Sequence, residues 1–251
     1  VQQSIAIEVQ HLKKQYPGVL AVNDISFQVR YGEILGLLGP NGAGKTTTLS
    51  ILAGMMKSSS GKVEICQQDL AQRETHFKQK IGFLSNDTQL YERLTVMENL
   101  HFFGALQSMP KAHLKQRSEE LVSHLEMTNF AHQKVGTLSA GQKQRANIAR
   151  AIVHDPEVLI FDEVTASLDI LSSQFIIGMI REAKTQGKAI IFSTHIMSEA
   201  EYLCDRIALI YKGKIIREGT KAELIETQNS DNLTEAFLKE IEFFQEGGQH
   251  E

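Results

Sequence analysis

Residues Gly39-Pro40-Asn41-Gly42-Ala43-Gly44-Lys45-Thr46 follow the pattern G-x-x-x-x-G-K-[ST]. The chemistry that spacing supplies is capture of a polyphosphate. Glycines at 39, 42 and 44 permit backbone angles at which successive N–H groups point inward at phosphate oxygens. Lys45 is placed to reach β- and γ-phosphates, and the Thr46 hydroxyl to bind Mg²⁺. Thr47 continues the motif into a helix whose positive N-terminal end adds to the anion site. A Gly-rich turn would match this pattern by chance in roughly one chain in a hundred of this length. The stretch implies that ATP or a related nucleotide is bound.

A second group of reactive residues ends the apolar run Val158-Leu159-Ile160-Phe161. Open α/β sheets place ligands beyond the carboxyl ends of their strands, where Asp162 and Glu163 fall. Asp162 suits Mg²⁺, usually held through water, between β- and γ-phosphates. Glu163, one step along the pleat, is expected to point elsewhere and to orient or deprotonate a water. His195 follows Phe192-Ser193-Thr194 at the end of another such run, level with Glu163. A lone His more often packs or faces solvent, but this position favours a γ-phosphate contact. Leu138-Ser139-Ala140-Gly141-Gln142 opens a helix. Ser139 either caps that helix or, with Gly141, Gln142 and the exposed N–H groups, forms a second anion site. A cap needs no Gly-Gln after it, which favours the anion site.

The elements that must hold these groups are readable from periodicity. Glu33 to Leu38 is a nearly continuous apolar run, as a buried parallel strand requires. From Ile5 to Val29 apolar and polar residues alternate, predicting antiparallel strands joined at Tyr16-Pro17-Gly18. Short strands are predicted at 62–65 and 81–84. Thr95 and Glu98 form a capping box before Leu100, Phe103 and Leu106 at helical spacing. A helix over 110–127 carries Leu114, Leu121, Val122 and Leu125, and another runs from the 138–142 segment to about residue 154. No strand signal falls between Leu90 and Val135, so this stretch reads as a helical insertion. Beyond residue 156 strands and helices alternate, implying parallel βαβ units, with a Lys212-Gly213 hairpin turn. A last amphipathic helix carries Leu233, Phe237, Ile241 and Phe244; its acidic polar face favours packing on the domain over a membrane surface.

Composition sets bounds. The 251 residues, 42% hydrophobic and 22% charged, suit one soluble domain with an inserted subdomain. A formal charge of −4 supplies no basic field, so nucleic acid is not an expected partner. Cys66 and Cys204 are far apart and in no metal-ligand spacing, as for two reduced thiols. No apolar run is long enough for a membrane span, and no signal peptide is expected.

With these motifs in this order, the chain resembles the nucleotide-binding subunit of an ATP-binding cassette (ABC) transporter. The likeness runs from Ile5 to Gly219 and is greatest for ABC-2-type exporters of the sodium-extrusion kind, on the wording from Ser193 to Arg206. It implies an α/β fold: a P-loop NTPase core with a mostly parallel sheet, an N-terminal antiparallel β subdomain and an inserted α-helical subdomain. Residues 1–220 would form one ATPase domain, with the helical insertion at about 87–155 and a helical tail at 221–251. Ser139, Gly141 and Gln142 fall on the signature motif, Ser167-Leu168-Asp169 on the D-loop with Asp169 at the nucleotide interface, His195 on the switch histidine and Tyr16 on the aromatic that stacks on adenine. The resemblance further implies ATP and Mg²⁺ as ligands and a head-to-tail homodimer around two ATP. It also implies an integral membrane permease as partner and a peripheral place on the cytoplasmic face of the membrane.

Three positions depart from the family pattern: Asn86 where Gln is expected beside Mg²⁺, Val164 after the catalytic acid in place of Pro, and Ala140 in place of Gly. For the Mg²⁺ role three readings remain: Asn86 itself, Gln89 in a shifted loop, or a turn with no ligand role. Spacing from the strand at 81–84 favours Asn86. The rival to a transport motor is a soluble ABC-type ATPase acting in translation, on DNA or in cofactor assembly. That reading would call for tandem cassettes, a coiled coil or basic arms, which these residues do not show. A non-hydrolysing switch is disfavoured by Glu163 and His195.

Overall fold

A computed structural model of the chain describes residues 4–72, 75–85, 89–166 and 168–247. The alternating N-terminal segment forms β1 (Ile5–Tyr16) and β2 (Val19–Arg30), paired antiparallel with Ile7 and Val9 opposite Val29 and Phe27. Gly18, at φ 79°, supplies the left-handed turn between them. Beyond α1 (Lys45–Leu52), β4 (Ser60–Ile65) pairs with the other edge of β1, and β5 (Gln68–Asp69) follows it. The sheet order is β2-β1-β4-β5. The antiparallel layer expected at the N-terminus therefore also takes strands from beyond the P-loop.

The central sheet comprises β3 (Ile34–Leu38), β6 (Ile81–Ser85), β7 (Val158–Asp162), β8 (Ala189–Thr194), β9 (Arg206–Tyr211) and β10 (Lys214–Gly219), in the order β10-β9-β3-β8-β7-β6. All neighbours run parallel except β10, which returns antiparallel to β9 through Lys212 and Gly213 at φ 47° and 78°. Every residue of β3, β7 and β8 is buried, as a sheet covered on both faces demands. Alternate residues feed different cores. Leu159 and Phe161 pack with the helices that follow β6 and β7, while Val158 and Ile160 pack with α1 and the antiparallel sheet.

Between β6 and β7 lie α2 (Val96–Leu106), α3 (Lys111–His124) and α4 (Ala140–Ile152). The expected capping box forms: the Glu98 N–H donates to Thr95 Oγ1 and the Thr95 N–H to Glu98 Oε2. Leu100 is buried, but Leu106 is 64% exposed. Six residues on at 100° each, Leu106 lies about 120° away from Leu100 around the helix. The chain continues through α5 (Ile170–Thr185), α6 (Met197–Leu203), α7 (Lys221–Thr227) and α8 (Leu233–Gln245). Leu233 and Phe237 of α8 join Ile207, Leu209 and Ile216 in one core, so the tail packs on the domain. Glu240, 1% exposed, accepts from Arg217 Nε at 2.8 Å and fastens α8 to β10. Among the described residues no helix is long and apolar enough to cross a membrane.

Phe161 is fully buried one residue before Asp162. Phe161→Ala is expected to cost about 3–5 kcal/mol through lost burial and the cavity left behind. Urea unfolding measures this, and a cost below about 1 kcal/mol would mean the site collapses without loss.

Candidate nucleotide site

The site begins where β3 ends. Leu38 is buried, and the chain must turn back at Gly39 to enter α1. A Cβ on Gly39 would lie 2.2 Å from the Ile210 carbonyl oxygen, so only glycine fits the approach of β9. Gly44 stands as N-cap of α1 at φ 104° and offers no side chain to the first-turn N–H groups. Those donors are left for a ligand, which makes the helix start an anion site. A Cβ on Gly44 would meet the Ala21 carbonyl at 2.4 Å. Behind the loop, the Gly213 N–H donates to Ala43 O at 2.9 Å and the Asn23 N–H to Gly213 O at 2.8 Å. The β2 strand and the β9–β10 turn thus brace the cradle from below.

Pro40, Asn41, Gly42 and Thr46 are exposed, Thr47 is half-buried, and Lys45 is only 4% exposed. The Lys45 ammonium donates to the carbonyls of Gly39 (2.7 Å) and Pro40 (3.1 Å) and lies 3.2 Å from Glu163 Oε1. Asp162, the last residue of β7, is buried and pairs in register with Ser193 of β8. The Ser193 hydroxyl donates to Asp162 Oδ1 at 2.5 Å.

Glu163 corrects the expectation of a residue one step along the pleat. The strand stops at Asp162, and Glu163 takes φ 51°. That angle costs an L-residue of order 1–3 kcal/mol and persists only where its surroundings over-determine it. Here the Glu163 N–H donates to both the carbonyl and the hydroxyl of Ser193, each at 3.2 Å. The turn brings Glu163 Oε1 to 3.2 Å from His195 Nδ1 as well as from Lys45. Burial pushes the Glu163 carboxyl up, but the bonds from His195 and Lys45 outweigh it and hold it below its ordinary range. Ser193 was not singled out by sequence reasoning. Its role depends on strand register, which no local pattern carries.

The other expected residues lie apart from this cluster. The Gln142 N–H donates to Ser139 Oγ at 3.3 Å, and the Ser139 N–H donates to Gln142 Oε1 at 2.9 Å. Gln142 therefore does serve a cap, contrary to the argument that a cap has no use for it. Asp169 caps α5, accepting from the Ser172 N–H at 2.9 Å. Among the described residues, no hydrogen bond or ion pair joins Ser139, Gly141, Gln142 or Asp169 to Lys45, Asp162, Glu163 or His195. Tyr16 ends β1 with its ring partly exposed and its hydroxyl donating to Met56 Sδ at 2.9 Å. Asn86 lies outside the described residues, and Gln89 is exposed.

The donor set is compatible with Mg²⁺. No group of three or more His, Cys, Asp and Glu side chains gathers among the described residues. Mg²⁺ needs no such cage, because it is held by one or two protein oxygens together with substrate phosphates. The Thr46 hydroxyl at the start of α1 and the Asp162 carboxylate at the end of β7 supply oxygens of that kind.

Comparisons with known proteins identify the family. The profile of the family described as ABC transporter matches residues 22–166. The chain is 38% identical over 224 residues to the ABC transporter ATP-binding protein NatA of Bacillus subtilis, covering 89% of this chain and 91% of that protein. It is 36% identical to the linearmycin resistance ATP-binding protein LnrL of the same organism, covering 94% and 76%. A Nod factor export ATP-binding protein I of Burkholderia orbicola is 38% identical, covering 92% and 76%. Among solved structures, the ATP-binding subunit of an ABC transporter superposes with a TM-score of 0.86 at 27% identity, covering 94% of this chain and 99% of that one. A dimeric ATP-binding cassette in a post-hydrolysis state with ADP and Pi gives 0.78 at 26% identity, covering 85% and 98%.

The lowered Glu163 carboxyl predicts a pH signature. Its contribution to stability is fully present above the ordinary value of 4.5 and is lost as pH falls through the lower folded value. The difference in unfolding free energy between the wild type and Glu163→Gln should shrink as pH falls below about 4.5. A difference that keeps growing below about pH 4.5 would contradict the assigned partners.

Proposed function

The chain belongs to the ABC transporter family and is an ATP-hydrolysing subunit of it; we propose that two copies close head to tail around two ATP and drive a separate membrane permease. The observation that carries the catalytic reading is the meeting of Lys45, Glu163 and His195 at 3.2 Å beside the P-loop. The free N–H groups of the P-loop and of the first turn of α1, with the Lys45 ammonium, bind the β- and γ-phosphates. Glu163, ionised at neutral pH, orients a water and takes its proton as the water oxygen attacks the γ-phosphorus and the bond to ADP breaks. His195 holds Glu163 in place and reaches toward the γ-phosphate. Thr46 and Asp162 would hold Mg²⁺, with Asn86 as a further candidate. That ion would neutralise charge between the β- and γ-phosphates. Tyr16 would stack on adenine.

The second half of each site comes from Ser139, Gly141, Gln142 and Asp169 of the other copy. The absence, among the described residues, of any bond from them to Lys45 and the exposure of Ser139 and Ala140 support that reading, as do the dimeric cassettes among the structural relatives. A two-fold axis completes both sites at once. The permease contact in this reading is Tyr91, 52% exposed, with Leu94, half-buried; Tyr91 stacks on Phe103 and meets Phe102 edge-on ahead of and along α2. Export as the direction is supported by the names of the relatives, a Nod factor export protein and a linearmycin resistance protein. In this reading residues 1–220 form the ATPase domain, 221–251 its tail, and the assembly sits on the cytoplasmic face of the membrane.

Glu163→Gln should leave ATP binding intact and slow turnover at least about a hundredfold, since an amide cannot accept the water's proton. With ATP the variant should elute as a dimer in size-exclusion chromatography and without it as a monomer. Normal hydrolysis by a monomer would overturn both the base and the shared site.

A further inference from the structure

Tyr16 ends β1 with its ring partly exposed, so burial alone does not fix it. Two other ties do. Its hydroxyl donates to Met56 Sδ at 2.9 Å. The half-buried Lys14 lays its ammonium over the ring, 5.2 Å from the centroid. That ammonium is itself anchored, because it donates to the Lys57 carbonyl at 2.8 Å. Both ties therefore lead to the short linker between α1 and β4. The same linker is fastened to the end of β1 by backbone groups. The Ser59 N–H donates to the Lys13 carbonyl at 2.8 Å, and the Gln15 N–H donates to Ser59 Oγ at 2.9 Å.

The linker leaves the end of α1, and the start of α1 is the anion site. The phosphate cradle and the Tyr16 ring are thus mounted at opposite ends of one eight-residue helix, about 12 Å long. A stacking surface adds affinity only so far as it is already in place, because ordering a loose side chain on binding costs free energy. A cation over one face of the ring also decides which face is left. With Lys14 on one side, a base has the other.

We propose that Lys14 is a positioning residue for the nucleotide base: anchored on the Lys57 carbonyl, its ammonium closes one face of the Tyr16 ring and holds the other ready for adenine. This role rests on the reading that Tyr16 stacks on adenine. Lys14 acts through the ring and touches neither base nor phosphate.

Calorimetric titration of the full chain with ADP and with inorganic pyrophosphate tests this. Lys14→Met keeps the apolar stem but loses both the charge and the donor. It should weaken ADP about fivefold and leave pyrophosphate within about 1.5-fold, since only the base feels the ring. Lys14→Arg can keep a cation over the ring and a donor to the carbonyl, and should bind ADP within about twofold of the wild type. Tyr16→Ala should weaken ADP about tenfold, and adding Lys14→Met to it should change that affinity by less than about twofold. Equal loss of ADP and pyrophosphate in Lys14→Met would overturn the proposal, because the lysine would then act by its charge or on folding. A fivefold loss that persists in the Tyr16→Ala background would overturn it too, as would a Lys14→Arg variant no better than Lys14→Met. Wild-type ADP affinity in Lys14→Met beside a weakened Tyr16→Ala would overturn the lysine's role and leave the stacking reading standing. Wild-type affinity in Tyr16→Ala would remove the stacking reading and the lysine's role with it, so the two failures are told apart.

Discussion

A backbone turn can hold a polyphosphate only if its N–H groups are bare and its other side is supported. In this chain the support is made of backbone atoms from three places in the sequence. Gly44 closes on the carbonyl of Ala21, Gly39 closes on the carbonyl of Ile210, and Gly213 bonds to Ala43 while accepting from Asn23. The antiparallel sheet, the β9–β10 hairpin and the P-loop are therefore one mechanical unit. The hairpin adds no catalytic group, yet its turn must keep glycine at 213, where a Cβ would meet Ala21 O at 2.9 Å with φ at 78°.

The charges over that cradle are arranged by strand ends. Parallel strands β3, β7 and β8 stop side by side, so Gly39, Asp162 and His195 emerge at one edge of the sheet. Ser193 then does two things: its hydroxyl fixes the Asp162 carboxylate, and its carbonyl and hydroxyl hold Glu163 in a strained turn. Strain at this one residue aims a carboxylate at Lys45 and His195 that an extended strand would have pointed away.

Much of this was legible in the sequence because it is local. Motif spacing marks the P-loop, apolar runs mark the buried strands, and Thr95 with Glu98 marks a helix start. What was not legible depends on contacts between distant residues. Ser193 matters through its register with Asp162, and Gly213 through the backbone of Ala21 and Ala43. Two local readings also failed for physical reasons. Glu163 was placed on a strand that had already ended, and Gln142 was denied a structural role although it closes a capping box with Ser139.

The central claim is that nucleotide is held between the P-loop of one copy and the start of α4 of another. Paired cysteines at Asn41→Cys and Ala140→Cys, in a chain with Cys66 and Cys204 replaced by Ser, measure this directly under mild oxidation. The account predicts a disulfide between chains that forms with ATP and Mg²⁺ and is lost without nucleotide, seen as a covalent dimer on a non-reducing gel. A link within one chain, or one that forms equally without ATP, would contradict it.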